Sequence, residues 1–235
     1  SVTRNGLTTT YEYDSLGQLT RDNDPHAGKS TMYLYDCGGN MTGYLSAPYT
    51  LAPTLEGVNE TVFYTYGDSH WKDKVTAIGG KAITYDAIGN PLTYDGWTFT
   101  WKAGRMLASM VKSGTNAQFT YDHNDLRIKK VVNGVTTNYT LNGKNVVHMT
   151  QGSHDLHFFY DAQGKPGMVT YNDVDYFYVY NLQGDVVALI DANGTQVVEY
   201  GYDAWGYPIS KTGSLAATIG TLNPFRYRGY TYLFY

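Results

Sequence analysis

Along this chain apolar and polar positions alternate in short runs, and turn signals cut each run off before a helix could form. In Tyr11-Glu12-Tyr13 and Tyr200-Gly201-Tyr202 the aromatics stand two residues apart, the spacing that places both rings on one face of a strand. Lys129-Lys130-Val131-Val132 and Val135-Thr136-Thr137 are β-branched runs on either side of Asn133-Gly134, a strong short hairpin signal. Asn5-Gly6, Asn142-Gly143 and Asn193-Gly194 repeat that signal. No window sustains a helical period, and the nearest candidate, Arg105 to Val111, occupies a slot that reads as strand in the neighbouring copies. The pattern predicts an all-β chain of on the order of 20 strands, each about 5–6 residues long. It lapses near Gly213 to Thr218, which reads as a loop.

A second signal recurs roughly every 20 residues: an aromatic, an aspartate and, three positions later, a glycine. The clearest copies are Tyr13-Asp14 with Gly17, Tyr35-Asp36 with Gly39, Tyr85-Asp86 with Gly89, Tyr160-Asp161 with Gly164, and Tyr202-Asp203 with Gly206. Aspartate can bond the backbone two residues on, and glycine supplies a positive φ, so the phrase closes a hairpin loop. In Tyr121-Asp122 the glycine position holds Asp125, a residue type that tolerates the left-handed region. Tyr180 with Gly184 has Asn181 in place of aspartate, and Tyr66, Trp101 and Tyr139 head weaker copies. The longest interval, 31 residues from Tyr35 to Tyr66, contains Pro48 and Pro53 and reads as holding an inserted loop over about 45–60. Such recurrence favours a building rule over a repeated site, with cross-strand tyrosine pairs forming ladders.

Composition narrows the function classes. Of the 235 residues 24 are tyrosine, against 8 phenylalanine and 4 tryptophan, and the net charge is −4 with no basic run. A phosphate-tracking surface is therefore not expected, and nucleic acid is excluded as a partner. No run approaches the roughly 18–20 apolar residues of a membrane helix, so membrane insertion is not expected either. The lone Cys37 rules out an internal disulfide and a cysteine-rich zinc site. It falls inside a turn and reads as an ordinary exposed thiol.

The remaining candidates for chemistry are few. His148, His154 and His157 form the one histidine cluster, but 154 and 157 are three apart, which on a strand sends them to opposite faces. They read as solvated or hydrogen-bonded histidines, and no metal or cofactor is assigned. Asp173 and Asp175 have the spacing that puts two carboxylates on one strand face, as glycosidases require, yet nothing else supports an enzyme. Arg226 and Arg228 alternate with Tyr227 as one strand face, suited to packing.

The ordered series of phrases resembles the YD repeats of bacterial RHS proteins, relatives of teneurin and toxin-complex C shells. Its most specific stretches run from Tyr180 to Gly194 and from Tyr200 to Pro208, and Asn223-Pro224-Phe225-Arg226-Tyr227-Arg228-Gly229 resembles the opening of the RHS-associated core. The resemblance implies an antiparallel YD-repeat sheet wound as a spiral or partial shell over 1–222, with a truncated core start at 223–235. It implies a non-enzymatic wall, in a secreted or cell-surface protein, around a C-terminal toxin of the same polyprotein. Some family members cleave themselves through Asp-Pro motifs in the core; the only Asp-Pro here is Asp24-Pro25, in another context, so no protease residues carry over. The alternative function is adhesion, with surface glycans stacked on exposed tyrosines and on Trp71, Trp97, Trp101 or Trp205.

Strand spacing bounds what such a piece can enclose. About 20 strands roughly 4.8 Å apart close to a ring about 30–40 Å across, and inward side chains occupy about 10 Å of it. A 100-residue toxin needs about 34 Å. The segment is thus expected to be part of a wall, cut from a longer array, with its export signal elsewhere.

Overall fold

A computed structural model of the chain describes residues 1–4 and 6–231. The Asn5 half of the first expected turn and the last four residues of the expected core start lie outside the described residues. The chain divides into two compact units, Ser1–Arg105 and the part from Met106 onward. Both are built almost wholly from antiparallel strands, each paired with the next in sequence.

The first unit contains β1 (Val2–Arg4), β2 (Leu7–Tyr13), β3 (Leu19–Asp24), β4 (Lys29–Tyr35), β5 (Met41–Pro48), β6 (Glu60–Thr65), β7 (Ala77–Ile78), β8 (Lys81–Tyr85), β9 (Pro91–Tyr94) and β10 (Trp97–Lys102). The insertion expected over about 45–60 begins later than that. Residues through Pro48 complete β5, because Leu45, Ser46 and Ala47 pair with β4, and the irregular stretch covers 49–59. That stretch lies on β3, whose Arg21, Asp22, Asn23 and Asp24 are all buried. Arg21 donates to the carbonyls of Pro53 (3.0 Å) and Thr50 (3.1 Å) and to Asn23 Oδ1 (2.8 Å). The Tyr33 hydroxyl donates to Asp22 Oδ1 at 2.6 Å. Burial of these polar groups is thus matched by partners, which is what makes it tolerable.

The second unit contains β11 (Met106–Lys112), β12 (Thr115–Tyr121), β13 (Arg127–Val132), β14 (Val135–Asn142), β15 (Asn145–Gln151), β16 (His154–Tyr160), β17 (Pro166–Tyr171), β18 (Val174–Tyr180), β19 (Val186–Ile190), β20 (Gln196–Tyr202) and β21 (Pro208–Thr212). Of the stretch from Arg105 to Val111, Met106 onward is strand, as its place in the repeat implied, and Arg105 belongs to the turn before it. Alternation sorts one face into a core: Leu156 and Phe158 of β16 are buried while His157 and Phe159 are exposed. Met149, Val169, Tyr176, Tyr178 and Leu189 join them from the neighbouring strands. One dry and one wet face is the usual state of an antiparallel sheet. Beyond β21 the loop over 213–218 leads into a single helical turn, α1 (Ile219–Leu222), whose Ile219 and Leu222 close over the same core.

Candidate functional site

The Tyr-Asp phrase folds the same way at each clear copy. At Asp14 the side-chain Oδ1 accepts from the backbone N–H groups of Leu16 and Gln18, both at 2.9 Å, while Gly17 N–H donates to the Asp14 carbonyl at 3.1 Å. Asp36, Asp86, Asp122, Asp161 and Asp203 repeat both carboxylate contacts. Gly17, Gly39, Gly89, Gly164 and Gly206 close these turns with φ between 77° and 86°, and Asp125 takes that place with φ 62°. Asn181 replaces aspartate by accepting from Asp185 N–H at 2.8 Å ahead of Gly184. At Asp36 the Asn40 amide, helped by backbone N–H groups, holds the carboxyl below its usual range. These carboxylates are spent on their own turns.

Three parts of the turn reading change. Asn193-Gly194 is not a second kind of turn: Asp191 Oδ1 accepts from Asn193 and Thr195, which makes it another aspartate loop lacking only the tyrosine. Tyr139 heads no turn, because β14 runs on to Asn142. After Trp101 the three residues Ala103 to Arg105 form the turn, with φ 42° at Ala103 and 84° at Gly104, and no aspartate stands there to cap it.

The aromatic of most phrases has a task that spacing alone did not reveal. Its strand slips register just before it, at Leu34/Tyr35, Phe159/Tyr160, Val179/Tyr180 and Gly201/Tyr202 among others. The side chain then reaches back to the preceding unit and donates to the backbone carbonyl that opens the strand after the earlier turn. Tyr35 bonds Leu19 O (2.9 Å), Tyr66 bonds Met41 O (2.8 Å), Tyr121 bonds Leu107 O (2.9 Å), Tyr160 bonds Val146 O (2.7 Å), Tyr180 bonds Pro166 O (2.6 Å) and Tyr202 bonds Val186 O (2.8 Å). Trp101 does the same through its indole N–H, to Pro91 O at 2.7 Å. Cross-strand tyrosine contact is seen between Tyr33 and Tyr44, with ring centroids 6.5 Å apart, whereas the phrase aromatics form a series of side-chain-to-backbone staples. A visible signal existed: the accepting residue commonly stands six positions after the previous marker, as Leu19 does after Tyr13 and Val186 after Tyr180.

The segment from Asn223 to Gly229 packs into the second unit rather than beginning a separate layer. Asn223 is wholly buried; its Oδ1 accepts from the Tyr178 hydroxyl at 2.8 Å and its Nδ2 donates to Phe225 O at 3.0 Å. Pro224 is fully buried beside it, and Phe225 meets Phe158, Tyr160 and Tyr178 edge-on, with centroids 5.2 to 6.2 Å away. The strand expected at Arg226 to Arg228 is instead a 3-10 turn, Tyr227–Gly229, with Arg228 at φ 51°. Arg226 lies 4.2 Å over the Tyr200 ring and donates to the carbonyls of Gly220, Thr221 and Phe225, so backbone oxygens take the place of a carboxylate partner. Tyr227 sits against Gly206 and Tyr202, and Arg228 N–H donates to Asp185 Oδ1 at 2.9 Å.

The other candidates separate. Asp173 lies in the hairpin turn with φ 66°, while Asp175 is on β18 and accepts from Thr170, so they do not form a two-acid face. Cys37 is exposed in its turn. Trp101 is committed to its staple and Trp97 stacks on Phe99, which leaves Trp71 and Trp205 about half exposed. His154 contacts the Tyr171 hydroxyl, away from His148 and His157, which come together around Asp155. Among the described residues no helix is long and apolar enough to cross a membrane.

Hairpins turned by aspartate and stapled backward by tyrosine define a YD-repeat shell protein. The teneurin YD-shell family model matches residues 1–220, and the chain belongs to that family. It is 33% identical over 227 residues to the tRNA3(Ser)-specific nuclease WapA of Bacillus spizizenii and, at the same identity and length, to the tRNA nuclease WapA of Bacillus subtilis. Each alignment covers 94% of this chain but only 9% of the relative. Among solved structures, the Tc holotoxin pore of Photorhabdus luminescens shares the fold with a TM-score of 0.63 at 15% identity, over 94% of this chain and 12% of that one. The TcdB2–TccC3 complex gives the same score and identity, over 94% and 13%.

Proposed function

We propose that this chain is a non-catalytic stretch of wall in an RHS-type shell, which confines or presents a toxin carried toward the C-terminus of the same exported polyprotein. The observation that carries the reading is the backward staple. Most units are tied to the one before by an aromatic donor, a device that extends a sheet unit by unit and presents no repeated reactive group. The relatives named as nucleases support the toxin context, and the chain matches so small a share of them that their catalysis is assigned to other parts. The same context supports secretion or display at the cell surface. Remaining repeats and the toxin itself are the expected partners.

The test is protease protection of the toxin domain in the full polyprotein, with and without this segment. Deletion is expected to expose the toxin to digestion; unchanged protection would overturn confinement. Adhesion is the competing outcome, since Trp71 and Trp205 are the tryptophans left about half exposed, beside exposed tyrosines such as Tyr13 and Tyr207. Saturable binding on a glycan array, abolished by Trp205→Ala, would favour it.

A further inference from the structure

The hairpin of β15 and β16 brings two imidazoles and a carboxylate together on its wet face. His148 and His157 are direct cross-strand partners, and Asp155 stands two residues before His157, so the strand period sends all three side chains to one side. Asp155 Oδ2 lies 3.0 Å from His148 Nε2, and Oδ1 lies 2.9 Å from His157 Nε2. The two rings stack with centroids 4.3 Å apart and planes 15° from parallel. One ligand atom from each residue falls within 4.8 Å of the others. The turn between the strands is only two residues, Gly152 and Ser153, so the pairing is held closely.

We propose that His148, Asp155 and His157 form a binding site for a divalent transition-metal ion of the zinc, copper or nickel class. Ligand atoms around tetrahedral zinc, at bond lengths of about 2.0–2.1 Å, stand about 3.3 Å from one another. The carboxylate-to-imidazole separations need to open by only a few tenths of an ångström to admit the ion. Two imidazoles and one carboxylate suit these metals, whereas calcium and magnesium favour sites built from oxygen. The exposure of His148, Asp155 and His157, 28%, 48% and 53% of their side chains, leaves room for water as a further ligand and a path for entry. Asp155 is also anchored through its backbone N–H, which donates to Asn172 Oδ1 at 2.9 Å and fixes the strand beneath the site. Both Nε2 atoms must present a lone pair to the ion, so each ring binds it in the neutral form. The nearest histidine in sequence, His154, takes no part because it faces Tyr171.

The test is calorimetric titration of chelator-treated, untagged protein with zinc chloride at neutral pH. One ion per chain is expected to bind, with affinity about tenfold or more weaker in His148→Ala and His157→Ala, and unchanged in His154→Ala. Absence of saturable binding, or equal affinity in the His148→Ala variant, would overturn the site. X-ray absorption of the zinc-loaded wild-type protein decides the matter if a variant does not fold: two imidazole nitrogens in the first shell are expected, and a shell of oxygens alone refutes the proposal.

Discussion

The Tyr180 hydroxyl donates to the backbone carbonyl of Pro166 at 2.6 Å, across the width of one repeat. Two turns, closed by Gly164 and Gly184, are thereby joined by an atom outside the strand ladder. Removing the hydroxyl while keeping the ring isolates that bond. Tyr180→Phe is expected to destabilise the protein by about 1–2 kcal/mol, the cost of leaving a partly buried acceptor unmatched. A midpoint shift in denaturant at constant slope would measure it, and a shift below a few tenths of a kcal/mol would argue that the bond is incidental.

Gly206 and Gly184 share nearly the same backbone, φ 86° and 88°, but not the same surroundings. A Cβ at Gly184 meets nothing within 4 Å, whereas one at Gly206 would come within 2.4 Å of the Tyr227 ring. Gly184→Ala is expected to cost only backbone strain, about 1–2 kcal/mol. Gly206→Ala should cost more, and should also release the segment around Tyr227. Trypsin cleavage after Arg226 or Arg228 reads that release: faster cutting is expected in Gly206→Ala alone.

The turns and strands were legible in the sequence because their chemistry is local. Aspartate bonds N–H groups two and four residues on, and a glycine or Asp125 supplies the left-handed residue, all inside one phrase. The staples were not legible as such, because Tyr202 and Val186 lie a whole unit apart and the register slip at Gly201/Tyr202 that aims the ring leaves no compositional mark. The fate of Arg226 was hidden for a related reason. An alternating Arg-Tyr-Arg run reads as a strand, but Asn223, buried against Tyr178, and the helical turn before it redirect the backbone. At the histidines, strand periodicity correctly separated His154 from His157, yet it took the pairing of β15 with β16 to show that His148 and Asp155 are the neighbours that matter.

Burial of the tyrosine hydroxyls also predicts alkaline behaviour. Burial pushes the Tyr160 hydroxyl up to about 12, and burial raises Tyr178, Tyr180 and Tyr202 as well. In the unfolded chain these groups ionise near about 10. Their contribution is therefore fully present below about pH 10 and is lost as pH climbs toward the folded values. Stability should fall steeply between about pH 10 and 12. Tyrosinate absorbance, followed against pH, should show a late group of tyrosines ionising together with loss of the β-sheet signal. Independent, early ionisation of all tyrosines would contradict that burial.

Lys130 makes the opposite demand on pH. It is 2% exposed on β13, and burial, reinforced by Arg127 and Arg226, lowers its ammonium to about 7. Unfolded lysine ionises near about 10.4, so between about pH 7 and 10 the unfolded chain holds a proton that the folded chain lacks. Stability contributed at this position is complete above about pH 10 and declines as pH falls toward 7; below that, the charged form must be kept in a poorly solvated site. Lys130→Met retains the length and volume of the stem without the charge. At pH 6 the variant is expected to melt a few degrees higher than wild type, because replacing a buried charge with an apolar side chain of similar size is often stabilising. Near pH 10 the difference should vanish or reverse. A variant less stable than wild type at every pH would show that the lysine serves the fold through a charged contact rather than straining it through burial.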